Sequence, residues 1–189
     1  DVPGGQREGG RVLARLLQKS IFDATGLTCS IGVAPNKLIA KMASEFNKPQ
    51  GISIVYEADL QAKIWPLACK KVNGIGPKAN AKLEAMGIHT IGELAQTDVQ
   101  TLLDRFGQRT GMWMHNAAWG RDGRPLVTDS EPVSMSRETT FDRDLHAVRD
   151  KAALGAIFTD LCERVAEDLQ RKGYVGKTIG IKLRYDDFK

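Results

Sequence analysis

The sequence predicts an α+β fold in which two short mixed segments flank a helical one. Residues 1–56 and 133–189 contain runs of alternating apolar and polar residues beside helical patterns, as expected of strands packed on helices. Residues 57–120 contain short amphipathic patterns separated by glycine, which favours small helices. Residues 121–132, "RDGRPLVTDSEP", have no apolar period and predict a linker. The 189 residues are therefore expected to form three small parts.

The first segment reads as helix, strand, helix, strand. The spacing predicts helices over 11–22 and 36–46, and β-rich runs over 27–34 and 51–56. A sheet of only two strands is marginal alone, so we expect this segment to be part of a larger sheet.

The helical segment carries clear boundary signals. Pro77 opens one helical pattern and Gly87 follows its last turn, the usual asymmetry of helix ends. Thr90 and Glu93 have the spacing of a capping box at the start of the next helix.

The last segment predicts β–α–β. Residues 133–141 read as a strand, and a long helix runs to about residue 172, with Gly173 as its cap. In residues 177–185 an apolar face alternates with a face that carries Lys182 and Arg184. The apolar face consists of Ile179, Ile181, Leu183 and Tyr185.

Composition excludes several classes of protein. A hydrophobic content of 42% is enough for a core, and the apolar runs are too short to span a bilayer. The start, "DVPGGQREGG", lacks the features of a signal peptide. The three cysteines are far apart, without a CxxC pair, so we expect no zinc site or disulfide framework and a cytoplasmic location. The net charge of +4 is compatible with nucleic-acid binding but does not require it.

The stretch "VNGIGPKANAKL", residues 72–83, is the strongest functional signal. Two glycines around Ile75 turn the chain and leave backbone amides uncovered directly before a helix, whose N-terminus adds partial positive charge. Such a turn can hold one phosphate, with Lys78 beside it. A tight helix–helix turn with glycine for packing is the alternative interpretation.

A second basic cluster surrounds the helix at 36–46. Lys37 and Lys41 share a face, and Lys48 is restricted by the following Pro49. A lysine held in this way suits an oxyanion such as a triphosphate. Composition alone favours a solvated lysine face.

The order of these motifs resembles a known family. "TCSIGVAPNKLIAKMASEFNKPQG", the hairpin "VNGIGPKANAKL", "FGQRTGMWMHNAAWGRDGRPL" and "SMSRETTF … KTIGIKLRY" are similar to the Y-family translesion DNA polymerases, in particular their DinB branch. The resemblance covers essentially the whole chain. It implies that 1–56 is the C-terminal part of a palm, 57–120 a thumb with a helix-hairpin-helix, and 133–189 the first half of a little finger.

The resemblance also implies residue roles. Lys48 would meet the incoming triphosphate, and Gly74, Ile75, Gly76 and Lys78 would hold a DNA phosphate. Backbone carbonyls of Lys70, Val72 and Ile75 would hold a monovalent cation. Arg137, Lys182 and Arg184 would follow the DNA backbone.

One departure from the family is large. Its two acidic motifs, which hold two Mg²⁺ ions, are not found in these 189 residues, nor is its fingers domain. We therefore expect a fragment that lacks polymerase activity alone, from a monomeric enzyme whose partners are primer–template DNA, a dNTP and a sliding clamp. Two alternatives stay open: a non-catalytic helix-hairpin-helix module of another repair protein, and a protein-interaction domain.

Other conspicuous residues have ordinary interpretations. We expect Trp65, Trp113 and Trp119 to pack between helices rather than stack on bases. His89, His115 and His146 lack partners at ligand spacing. Asp122 is expected to be a turn or surface acid.

Overall fold

The computed structural model describes residues 6–187; residues 1–5 and 188–189, which the sequence assigns to its first and last segments, lie outside the described residues. The chain divides into two compact units, Asp1–Leu126 and Val127–Lys189. The helices are α1 (Gln6–Thr25), α2 (Lys37–Ala43), α3 (Pro77–Glu84), α4 (Ile91–Gln96), α5 (Val99–Phe106), α6 (Gln108–Ala118) and α7 (Lys151–Lys172), and the strands are β1 (Ile31–Val33) and β2 (Ile52–Ile54).

The first unit begins with a helix packed beside a short parallel sheet. β1 and β2 pair in parallel, with Ile31 opposite Ile52 and Val33 opposite Ile54, and α2 forms the crossover between them. Gly32 allows α2 to approach β1 closely, since a Cβ there would lie 1.9 Å from the Ala40 carbonyl oxygen. The predicted order of helix and strand is thus confirmed, with strands of three residues each.

The large apolar side chains of α1 are mostly exposed. Val12 and Leu16 are 51% and 61% exposed, whereas Ala14 is buried. Gln18 fastens the helix to the sheet, because its Nε2 donates to the carbonyls of Cys29 at 2.8 Å and Gln50 at 2.9 Å. A sheet of two strands is too narrow to cover the rest of this helix.

The helices of the first unit enclose its largest apolar core. The buried side chains from α2 to α6, with those of the turns between them, form one continuous cluster. Fully buried members include Ile64, Leu83, Ile91, Leu94, Leu102 and Met114.

The predicted capping box of α4 is present. Thr90 Oγ1 accepts a hydrogen bond from the Glu93 amide at 3.2 Å, and Glu93 Oε2 accepts one from the Thr90 amide at 2.9 Å. Glu93 also accepts from the His89 amide at 2.7 Å, and these backbone donors lower the pKa of its carboxyl group.

Part of the predicted linker is held against α2. Asn36 Nδ2 donates to the Gly120 carbonyl at 2.6 Å, and Lys37 Nζ donates to the Pro125 carbonyl at 2.6 Å. We call residues 120–125 the strap.

Asp122 is more enclosed than the sequence suggested. Its side chain is only 8% exposed, and Arg124 donates to both of its oxygens, at 2.7 and 2.8 Å. The pKa of Asp122 is lowered to about 2, mainly by the hydrogen bonds from this guanidinium. Asp122 is therefore a turn acid, one of the two roles expected of it: its Oδ1 accepts the Arg124 amide at 3.4 Å, and its side chain is enclosed rather than freely exposed.

In the second unit, the predicted helix is confirmed but the predicted strands are wrong. α7 ends at Gly173, whose φ of 70° lies in the left-handed region that favours glycine. Within residues 127–187 no strand forms over 133–141 or 177–185. Ile179 and Tyr185 are 93% and 73% exposed. A strand needs a hydrogen-bonded neighbour and a surface for its apolar face, and alternation of residues supplies neither.

In the part of the chain that the structure describes, no helix is both long and apolar enough to cross a bilayer.

Candidate nucleic-acid interface

The glycine hairpin joins a short 3₁₀ turn, Cys69–Lys71, to α3. Gly74 has a φ of 113°, a conformation that side chains rarely allow. The next residue, Ile75, is 5% exposed, and its amide donates to the Val72 carbonyl at 2.9 Å. The hairpin is thus anchored in the core by its central side chain. Of the amides that the sequence predicted to be uncovered, that of Ile75 is already engaged.

Three of the amides that follow have no backbone acceptor. Gly76 is exposed and caps α3 without a side chain, and Pro77 occupies the first turn. Among residues 6–187, the amides of Gly76, Lys78 and Ala79 donate to no backbone acceptor, as expected at a helix start. They form a small group of donors at the positive end of the helix dipole.

Gly76 is not required by the fold. Its φ of −79° suits any residue, and a Cβ there would meet no atom within 4 Å. The open space beside its backbone would be lost to a side chain, which is the usual reason for glycine beside a ligand.

Gly74 differs from Gly76 in both respects. A Cβ at Gly74 would lie 2.6 Å from Cη2 and 2.7 Å from Cζ2 of Trp113 on α6. The backbone of the hairpin therefore rests directly on the edge of this indole.

A depression of about 420 Å³ lies beside the hairpin. Lys70 and Ile75, two of the three residues expected to hold a monovalent cation through their carbonyls, line it, while Val72 does not. Val72 already uses its carbonyl to accept the Ile75 amide. The complete lining is Lys70, Lys71, Ile75, Pro77, Asn80, Ala81 and Glu84.

The depression adds residues that the sequence reasoning missed. The exposed Lys71 lies beside it, and Asn80 is fixed there because its Nδ2 donates to Glu84 Oε1 at 2.8 Å. The signal was available: two adjacent lysines precede the first glycine by four and three positions, so a tight turn brings them to the hairpin.

Lys48 lies in the loop between α2 and β2. Its Nζ forms an ion pair with Glu45 Oε1 at 2.7 Å, and the two side chains are 56% and 48% exposed. The hydrogen bond from Lys48 lowers the pKa of Glu45. The peptide bond between Lys48 and Pro49 is cis.

The three remaining predicted DNA contacts belong to the second unit. Arg137 is paired with Asp168, with Nε donating to Oδ2 at 2.7 Å. This hydrogen bond makes the largest contribution to lowering the pKa of the Asp168 carboxyl group. Arg184 Nη1 lies 3.5 Å from Glu138 Oε2. Lys182 is exposed. Arg137 is therefore the most restrained of the three.

The tryptophans pack as expected. Trp65 and Trp119 meet edge to face with their ring centroids 5.3 Å apart, and their indole nitrogens donate to the carbonyls of Ala118 and Ala95. Among the described residues, no group of three histidine, cysteine or acidic side chains is placed to hold a metal ion.

Three family models match successive parts of the chain. The impB/mucB/samB family model matches residues 4–45, the thumb domain of DNA polymerase iota matches 70–122, and the C-terminal domain of the impB/mucB/samB family matches 132–189.

Curated relatives agree with these matches. A DNA polymerase IV of Caulobacter vibrioides is 40% identical over 195 residues, which cover 100% of this chain and 47% of the relative. A DNA polymerase IV of Moorella thermoacetica is 38% identical over 178 residues, covering 93% of this chain and 44% of the relative. The chain thus spans just under half the length of these two relatives, and nothing supports a module of an unrelated repair protein.

Solved structures show the same likeness. A Y-family DNA polymerase chimera, Dbh-Dpo4(243-245)-Dbh, is 25% identical with a TM-score of 0.61, covering 67% of this chain and 37% of that one. DinB from Sulfolobus solfataricus is 25% identical with a TM-score of 0.58, covering 66% of this chain and 36% of that one. The chain belongs to the Y family of DNA polymerases, in its DinB (DNA polymerase IV) branch.

Proposed function

We propose that this chain supplies the DNA-backbone and triphosphate contacts of an error-prone, template-directed DNA polymerase that copies past lesions. The observation that carries the proposal is the hairpin at 74–76, where an otherwise unnecessary glycine leaves space beside free helix amides. The family membership supports the same conclusion. The whole enzyme would bind primer–template DNA and a dNTP, and would act as a cytoplasmic monomer.

The hairpin would bind one phosphate of a DNA strand. The amides of Gly76, Lys78 and Ala79 would donate to its non-bridging oxygens, and the α3 dipole and the Lys78 ammonium would favour its charge. Ile75 contributes by fixing the turn in the core rather than by its amide. Contacts of this kind position the DNA but do not read its sequence.

Lys48 would contact the incoming triphosphate. Its present partner, Glu45, belongs to an exposed ion pair, which contributes little to stability and is easily exchanged. A triphosphate offers a stronger, multiply charged acceptor for the same ammonium.

The second unit would add contacts along the DNA backbone. Lys182 and Arg184 are both exposed and alternate with apolar residues, so an extended conformation of this segment on DNA would place them on one side. Arg137 would join them only by sharing its guanidinium between a phosphate and Asp168. Such cations give binding that weakens as salt rises.

The metal requirements differ between the two kinds of site. The carbonyls of Lys70, Val72 and Ile75 would serve a monovalent cation beside the hairpin. The described residues do not fit the Mg²⁺ ions used by the family, because they offer no cluster of carboxylates.

We therefore expect the 189-residue chain to bind DNA without extending a primer, as primer-extension gels would show. A sliding-clamp contact stays a prediction.

The central test compares Gly76→Ala with Gly155→Ala, a glycine on α7 that also has open space around it. DNA binding is measured by fluorescence anisotropy with two unrelated duplexes at low and moderate salt. Gly76→Ala should weaken both complexes by about three- to tenfold, because its methyl group occupies the space of the phosphate. Gly155→Ala should bind like the wild type.

Two results would count against the proposal. Binding unchanged by Gly76→Ala would mean that the hairpin amides do not meet the phosphate. Absence of wild-type binding at both salt concentrations would favour a protein-interaction domain instead.

A further inference from the structure

Trp113 differs from the other two tryptophans in what its ring contacts. Trp65 and Trp119 pair with each other and use their indole nitrogens on helix carbonyls. The ring edge of Trp113 instead faces Gly74, where a methyl group would lie 2.6 Å from Cη2. The indole is half-buried and packs against the core of the first unit.

We propose that Trp113 is a positioning residue for DNA binding, because its indole is the floor that holds the hairpin amides in their phosphate-binding arrangement. The inference rests on the proposed phosphate binding by the hairpin, and it adds that a residue on α6 supports this binding.

The hairpin needs such support. Gly74 adopts a φ of 113°, one of many conformations open to glycine, so the residue itself does not fix the turn. Ile75 fixes the turn from within the core, at 5% exposure, and Trp113 supports the preceding residue from α6. The first donor amide, that of Gly76, comes directly after these two anchored residues. A shift of Gly74 would therefore move the amides relative to the bound phosphate.

An aromatic ring suits this role better than an aliphatic side chain. Indole is rigid, so it limits movement of the hairpin before DNA arrives and lowers the ordering cost of binding. Phenylalanine at the same position is shorter and would leave a gap where Cη2 and Cζ2 now meet the glycine. The hairpin would then have several positions of similar energy.

The test uses Trp113→Phe, with Trp119→Phe as the matched control. Trp119→Phe removes an indole of the same size, together with its hydrogen bond to Ala95, without touching the hairpin. DNA affinity is measured with both duplexes at a temperature where circular dichroism shows each variant folded. We expect Trp113→Phe to weaken binding by about three- to tenfold for both duplexes, and Trp119→Phe to leave it unchanged.

The outcomes separate this inference from the proposed function. If Gly76→Ala weakens binding and Trp113→Phe does not, the positioning role is overturned and the hairpin function stands. If neither variant weakens binding, the hairpin function fails, and the positioning role fails with it. An equal loss in Trp113→Phe and Trp119→Phe would indicate general loss of structure and also overturns the role.

A second measurement needs no folded Trp113 variant. The wild-type chain is labelled with 5-fluorotryptophan, and its signals are assigned from Trp65→Phe and Trp119→Phe. On saturation with DNA, the ¹⁹F signal of Trp113 should shift while the other two stay in place. No shift of the Trp113 signal, or equal shifts of all three, would overturn the inference.

Discussion

At the scale of single residues, the two hairpin glycines have separable roles. Gly74 has a positive φ and lies against the Trp113 ring, so a side chain there would be strained and would clash. Gly76 has neither constraint, and the space beside it is open. A stability measurement can therefore distinguish the glycine needed for folding from the one available for binding.

Gly74→Ala should lower the free energy of unfolding by about 2 kcal/mol or more, since it places a side chain at a strained φ and against an indole. Gly76→Ala should cost less, about 0.5 to 1 kcal/mol, since alanine is a poorer N-cap than glycine but meets no atom there. Urea denaturation followed by circular dichroism gives both values. Equal losses in the two variants would contradict the distinction.

Asp122 gives the strap a pH dependence. Its folded pKa of about 2 lies below the ordinary value of 3.8, so its stabilising contribution is complete above the ordinary value and is lost as the pH falls through about 2. Asp122→Asn should cost about 1 kcal/mol at pH 7, because the partner guanidinium is solvated. Its difference from the wild type should shrink between pH 4 and pH 2 in thermal melts. A difference independent of pH would mean that the charge of Asp122 is unimportant.

At the scale of elements, helix boundaries were predicted most reliably where the signal lies within a few neighbouring residues. The Thr90–Glu93 spacing is enough to place the start of α4, because both partners of the capping box lie within one turn.

Thr90→Ala should destabilise the first unit by about 1 kcal/mol, since the Glu93 amide loses its acceptor. Thr90→Ser keeps the hydroxyl and serves as the control. Chemical denaturation of both variants provides the measurement, and a Ser variant as unstable as the Ala variant would argue against the cap.

Signals that depend on distant partners were less reliable. Alternation over 177–185 described which side chains share a face but could not supply the neighbouring strands that would cover Ile179 and Ile181. The contact between Gly74 and Trp113 joins residues 39 positions apart, and no local pattern indicates it. The sequence thus located the hairpin and Lys78, whereas the support of the hairpin by α6 and the enclosure of Asp122 became visible only in three dimensions.

At the scale of the whole molecule, the predicted DNA contacts are distributed over both units. Gly76 and Lys78 belong to the first unit, and Lys182 and Arg184 to the second. Backbone binding by separate groups of cations predicts losses that do not depend on DNA sequence.

Lys182→Ala combined with Arg184→Ala should weaken duplex binding similarly for unrelated sequences and reduce the slope of log affinity against log salt by about 1 to 2. Lys19→Ala, on α1 and paired with Asp23, removes a cation outside the predicted contacts and is the control. Anisotropy titrations at several salt concentrations give the slope. A loss confined to one duplex would indicate base recognition instead.

The strap also determines where the chain can be cut. The bond after Arg121 lies in backbone tied to α2 and α6, with the Arg121 amide bonded to the Asn116 carbonyl at 2.9 Å, so trypsin should spare it in brief digestion. Leu126 and Val127 follow immediately and are 80% and 67% exposed. Chymotrypsin should therefore cleave after Leu126, at the boundary of the two units, and release each as a separate polypeptide.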